Sequence, residues 1–250
     1  ISNIFSCLYF LFLISMRTKK INICVDVTKL RFEKEVAGKI FAVGIPAAIQ
    51  NLLNVTGMTV LNHFTSAYGA NAVAAMGIAQ KVHNFPVSIF GGISQGVMPL
   101  IGYNYAKENH KRMKEVIRFT GVLTLFVTVL SAGVFLLVPD KIMEGFISHS
   151  EVIFIGEKLL RGFSLAIPFL CIDYLVVAIF QAVGIGRYAF VFAILRKIAL
   201  EIPALWVWNC LYPLYGLVYA QATAEVILAS IGSAALVRFF FCQENRRASV

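Results

Sequence analysis

The chain is short of charge. Only 14% of its 250 residues are Asp, Glu, Lys or Arg, about half the share of an ordinary soluble domain, whereas 59% are hydrophobic. That supply of polar groups cannot cover a soluble surface, so the bilayer is the expected solvent. Cysteine is sparse as well. Cys7, Cys24, Cys171, Cys210 and Cys242 form neither a CxxC pair nor a cluster with His63, His83, His110 or His149. Disulfide and clustered metal sites are therefore disfavoured, and small buried thiols account for the residues. The sequence has no nucleotide-binding loop, no paired-carboxylate pocket in a soluble segment and no supporting Ser, His and Asp spacing. It reads as a non-enzyme without an organic cofactor. Gly184-Ile185-Gly186 reads as a tight turn between helices, not a phosphate cradle. Asn54-Val55-Thr56 matches a glycosylation acceptor but lies within an apolar run, out of reach of the modifying enzyme.

What the chain does have is long apolar runs. Six of them, about Ile40 to Thr65, Val82 to Ala106, Val116 to Val138, Phe163 to Gly184, Tyr188 to Tyr212 and Leu214 to Phe241, predict membrane spans. At about 1.5 Å of rise per residue, some 20 residues make one helical crossing that satisfies its own backbone. Seven of the 22 basic residues lie from Arg17 to Lys39, five from Lys107 to Arg118 and three from Arg238 onward, while Asn209 to Gln221 has none. This asymmetry predicts that the first loop, residues 17–39, and the tail, 242–250, are cytoplasmic, in a multi-pass protein of the plasma (inner) membrane. The Asp140 to Arg161 elbow is mixed in charge and fixes its side least well. The net charge of +9 flanks the spans instead of forming one patch, so anionic membrane lipids are the expected partners and nucleic acid is not. Ile1 to Met16 is apolar and precedes its positive charges, the reverse of a signal peptide. It reads as the end of a preceding transmembrane helix, which makes the chain an expected part of a longer protein.

Polar groups at membrane depth are the functional candidates, because a charge there costs about 2.5 to 3.5 kcal/mol on insertion scales. Gln50 and Asn54 share a helix face in the first span, where they can line a cavity or bond neighbouring helices. Asp173, the one acid in Ala166 to Gln181, follows Pro168 by five residues. Proline removes a backbone bond and lets the helix bend, placing Asp173 for exchange of a proton or cation, or for a structural pairing with a base such as Arg196. Gln181 lies on nearly the same face as Asp173. Lys197 and Glu201, four apart, read as a neutralised pair near a helix end, and Glu225 as facing the interior. Gly92 and Gly96 form a small-xxx-small face that predicts close helix packing, between Pro86 and Pro99, whose spacing suggests a bent helix.

These residues resemble a known family. Gly44-Ile45-Pro46-Ala47-Ala48-Ile49-Gln50 looks like the opening of the seventh helix of the multidrug and toxic compound extrusion (MATE) transporters. Ser94-Gln95-Gly96, Pro99-Leu100-Ile101-Gly102 and Asn104-Tyr105-Ala106 look like the eighth helix and its exit, and Phe180-Gln181-Ala182-Val183-Gly184 like the end of the tenth. The resemblance covers most of the chain and implies an all-α integral membrane fold, the C-terminal lobe of a two-lobe secondary transporter. In that reading 1–16 ends the sixth helix, 17–39 joins the lobes, 40–241 is the six-helix lobe and an N-terminal lobe faces it. The family exchanges sodium or protons for organic cations and other drugs by alternating access. Pro46, Gly92, Gly96, Pro99 and Pro168 are the implied packing or hinge positions. Some members carry a seventh-helix Glu where this chain places Asn54, which cannot bind a proton but offers an amide oxygen to sodium. Asp173 lies beside their tenth-helix acid and is the other candidate sodium ligand. The alternatives are a lipid or lipid-linked oligosaccharide flippase of the same superfamily and, from another class, a non-transporting membrane scaffold.

Overall fold

The computed structural model describes residues 2–16 and 33–248. The described residues fold as α1 (Ser2–Met16), α2 (Lys34–Ser66), α3 (Ala70–Ala106), α4 (His110–Leu137), α5 (Pro139–Glu144), α6 (Ser150–Ala182), α7 (Gly186–Ile194), a π-helical segment (Leu195–Glu201), α8 (Ile202–Leu211) and α9 (Gly216–Ala248), with no strand among them. The chain divides into two compact units at Lys39. In the first, α1 exposes Phe5, Leu8 and Phe12. Cys24 and the part of the expected inter-lobe loop at 17–32 lie outside the described residues.

Among the described residues five helices, α2, α3, α4, α6 and α9, are long and apolar enough to cross a membrane. The fifth expected span is also helical from Gly186 to Leu211, but in three pieces, because a π-helical register interrupts it. The turns between elements arise from local chemistry. Gly69 and Gly184 adopt φ of 92° and 80°, a left-handed backbone that a Cβ would strain. The Asn109 side chain accepts a hydrogen bond from the Arg112 N–H at 3.2 Å and caps α4. Pro139 opens α5, where its missing N–H costs nothing.

The second unit is built around α6, whose apolar stretch is 72% buried against 28% in α3, α4 and α9. It packs against α3, α4, α5, α7 and α9. Phe90, Phe135, Ile167, Leu170 and Cys171 form one cluster along it, and Val176, Val177, Phe180, Phe192 and Leu228 another. In α4 the usual polarity is reversed. Phe119, Phe126 and Leu130 face outward, while Thr120, Thr124 and Thr128 are buried and return their hydroxyl protons to carbonyls of their own helix. An outward apolar face is what a helix in lipid requires.

The structure adds detail to several stretches and changes one expectation. The elbow at 140–161 holds α5 and the first turns of α6. The tail expected at 242–250 continues α9 as far as Ala248. Helices α3 and α6 continue through Pro86, Pro99 and Pro168, as α2 does through Pro46. The close contact expected at Gly92 and Gly96 is absent among the described residues: a Cβ on either would meet nothing within 4 Å. Gly96 instead borders a groove of about 490 Å³ between α3 and α4. A Gly96→Leu protein should therefore be recovered folded in detergent at the parent's yield. A collapse of that yield in size-exclusion chromatography would restore the packing role.

Candidate functional site

Charged side chains converge in the middle of the second unit. The Arg196 guanidinium donates through Nε to Glu225 Oε1 at 2.8 Å and places Nη2 2.7 Å from the same oxygen. Its Nη1 lies 3.5 Å from Asp173 Oδ2, and its plane sits 5.7 Å from the centre of the Tyr174 ring. Beside it Lys197 Nζ donates to both carboxylate oxygens of Glu201, at 2.8 and 2.6 Å. All five charged groups are at most 7% exposed. Three carboxylates face two cations, so the fully ionised cluster carries one surplus negative charge. Asp173 Oδ1 and Glu225 Oε2 have no hydrogen-bond partner among the described residues, and such atoms are costly to leave dry.

The π-helical segment explains how adjacent residues of one helix both enter this cluster. At 3.6 residues per turn Arg196, Lys197 and Glu201 would spread over an arc of about 140°, and the wider i→i+5 turn draws them toward one side. Space for them is left by Gly57 on α2, where a Cβ would lie 3.0 Å from Lys197 Cδ and Nζ and 3.3 Å from Glu201 Oε1.

A cavity of about 130 Å³ opens on the cluster, walled by Asn54 and Gly57 of α2, Gln80 and His83 of α3, and Arg196, Lys197 and Glu201. His83 is buried, lies with its ring 4.8 Å from that of Phe163, and has no partner for Nε2 among the described residues. Gln80 donates to Asn62 Oδ1 at 3.3 Å.

The expected site residues separate into two places. Asn54 lines the cavity and Asp173 lies behind Arg196. Gln181 donates instead to Gln50 Oε1 at 3.3 Å, joining α6 to α2 away from the charges. Eight residues turn a helix by about 80° beyond two full turns, enough to send Asp173 and Gln181 to different partners. Lys197 and Glu201 pair as their spacing predicts, but buried, not near an interface. The basic partner of Glu225, absent from its own stretch of sequence, is Arg196. Gly57 and His83 were not legible as site residues, although Gln80, His83, Asn84 and Val87 recur at helical spacing along one face of α3. Among the described residues no group of three His, Cys, Asp or Glu is arranged to hold a metal. Cys7, Cys171 and Cys210 are free thiols.

The MatE family model matches residues 46–207, which run from within α2 to within α8 and include Asp173, Arg196, Lys197 and Glu201 of this cluster but not Glu225. The chain belongs to the MatE family. It is 33% identical over 231 residues to multidrug export protein MepA of Staphylococcus saprophyticus, covering 92% of this chain and 50% of that protein. The MepA of Staphylococcus aureus strain NCTC 8325 is 32% identical over 232 residues, with the same coverage. The fold is similar to that of the Vibrio cholerae MATE transporter VcmN in its bent form, with a TM-score of 0.79 and 20% identity over 90% of this chain and 50% of that one. The chain thus spans about half the length of the curated relatives it matches. In this MatE lobe α6, α9 and the π-helical segment supply the charges, and α2 and α3 wall the cavity over them.

Proposed function

We propose that this lobe is one half of a cation-coupled multidrug efflux antiporter, which exchanges sodium or protons for organic cations and other drugs by alternating access against a facing lobe. The observation that carries the reading is the buried cluster of three carboxylates and two cations beside a small cavity. A surplus negative charge is expensive in a closed, dry lobe. One proton, or one sodium ion, neutralises it. In the neutral state the helices can close on the cluster; with the ion lost, the orphan oxygens of Asp173 and Glu225 favour an opening that admits water. Sodium entering the cavity would meet the Asn54 amide first and reach Asp173 only as Arg196 moves aside. At about 130 Å³ the cavity suits an ion with water, whereas drug-sized ligands occupy roughly 300 to 1,000 Å³. The drug is therefore assigned to the cleft between lobes, not to this cavity. MepA relatives named multidrug export proteins support the direction of transport. The basic stretches at 17–39 and 107–118 support an inner-membrane orientation with the C-terminus in the cytoplasm.

The test is Asp173→Asn, measured as efflux of a cationic dye from cells expressing the protein. Asparagine still accepts from Arg196 and leaves two carboxylates against two cations, so the variant should accumulate folded. Efflux should fall about tenfold or more, as expected when a group required for coupling is lost. Efflux at the parent's rate would overturn the coupling role of Asp173. Lipid scrambling by the parent without dye efflux would support a flippase in its place.

A further inference from the structure

A second pocket lies at one end of the lobe, away from the coupling candidates. Lys158 and Arg161 of α6 line about 530 Å³ together with Trp208 of α8, Tyr212 and Tyr215 of the turn after it and Tyr219 of α9. We propose that this pocket holds the headgroup of an anionic phospholipid.

Charge selects an anion. Arg161 is paired with Glu157 at 2.7 Å, but among the described residues the ammonium of Lys158 meets only aromatic rings, 4.1 Å from the centre of Phe154 and 5.0 Å from that of Tyr215. A phosphate would give Lys158 its missing counter-ion, with the hydroxyls of Tyr212, Tyr215 and Tyr219 and the Trp208 N–H as neutral donors. An organic cation would bring a like charge to Lys158 and Arg161.

The surroundings select an amphiphile. Lys158, Arg161, Leu165 and Phe169 succeed one another at spacings of three and four along one stripe of α6, and all four are exposed. The cations stand toward the helix start and the apolar side chains toward its middle. The 33 residues of α6 measure about 50 Å against a hydrocarbon core of about 30 Å, so the first turns leave the core and Lys158 falls near its edge. Trp208, Tyr212, Tyr215 and Tyr219 at that level form an interfacial aromatic group. A headgroup in the pocket would lay its acyl chains along Leu165 and Phe169.

The pocket is also held in shape. A Cβ at Gly162 would run into Val218, and one at Gly216 into the carbonyl of Trp208, so α6, α8 and α9 meet there at close range. Leu214, between Tyr212 and Tyr215, takes a φ of 66°, a strained value for leucine that the surrounding contacts fix. Rigid aromatic walls around one uncompensated cation distinguish this site from the basic loops that attract lipid without a pocket.

The experiment is native mass spectrometry of the purified full chain with phosphatidylglycerol, with phosphatidylcholine, and with glycerol phosphate as the free headgroup. Phosphatidylglycerol should be retained about tenfold more tightly than phosphatidylcholine, and the K158Q/R161Q double variant should lose that preference. Lys158→Arg should keep it, as should K107Q/K111Q, which removes charge from the basic stretch around the turn between α3 and α4, outside this pocket. Equal retention of both lipids, or an unchanged preference in K158Q/R161Q, would overturn the proposal. Glycerol phosphate bound as tightly as phosphatidylglycerol would overturn the lipid assignment in favour of a soluble phosphate.

Discussion

Arg196→Met should be the most destabilising substitution in the cluster. Arg196 is the only cation paired with both Asp173 and Glu225 among the described residues, and its loss leaves two buried carboxylates uncompensated. Removing one partner of a buried ion pair costs about 3 to 5 kcal/mol, mostly from stranding the charge that remains. The expected result is a large drop in the thermal transition of the purified protein in detergent, monitored by intrinsic fluorescence. Glu225→Gln added to Arg196→Met should recover part of the loss and Asp173→Asn more, because each substitution removes a stranded charge. A melting curve for Arg196→Met that matches the parent would mean that these carboxylates are hydrated or already neutralised without the guanidinium.

Gly162→Leu should come next in size, with a different cause. Gly162 lies in the most buried helix, and the Cβ that any side chain brings already collides with Val218 across the α6 and α9 contact. Overpacking of this kind costs about 1 to 3 kcal/mol, because the core cannot expand without losing contacts elsewhere. Val218→Ala should restore much of the folded yield when combined with Gly162→Leu, a coupling that two unrelated defects would not show. An unperturbed yield for Gly162→Leu alone would place the helices further apart than the structure has them. Set against Gly96→Leu, the pair measures which small residues of the lobe are contacts and which are surface.

The architecture was readable because lipid imposes it: apolar runs must become helices, and their lengths and flanking charges mark the crossings. What hydropathy could not reveal was contact. Gly92 and Gly96 carry the spacing of a packing motif, yet Gly162 and Gly57 make the close approaches, since spacing does not say which face meets a neighbour. The pairing of Arg196 with Glu225 joins positions 29 apart in the chain, and no local pattern encodes it. The Lys197 and Glu201 pair was legible because it lies within one helix. Its burial was not, because that depends on α2 coming near at Gly57. The lone apolar-run acid, Asp173, drew attention by composition, while His83 looked like any isolated histidine until the cavity wall was formed.

The π-helical turn governs how this lobe tolerates changes of length. Such a turn is equivalent to one residue inserted into an α-helix, kept because the helix beyond it still faces the right way. Deleting a single residue between Leu195 and Glu201 would let the segment relax to ordinary α-helix. Because the wide turn already absorbs the extra residue, Ile202 to Leu211 would keep nearly the same facing relative to α7, with Leu205 still buried and Trp208 still beside Tyr219, while Arg196, Lys197 and Glu201 would lose the turn that gathers them. The single extra residue is thus absorbed within one wide turn: the two ends of this crossing keep their phase, and a sequence alignment that closes the gap there would misassign every inward residue beyond it.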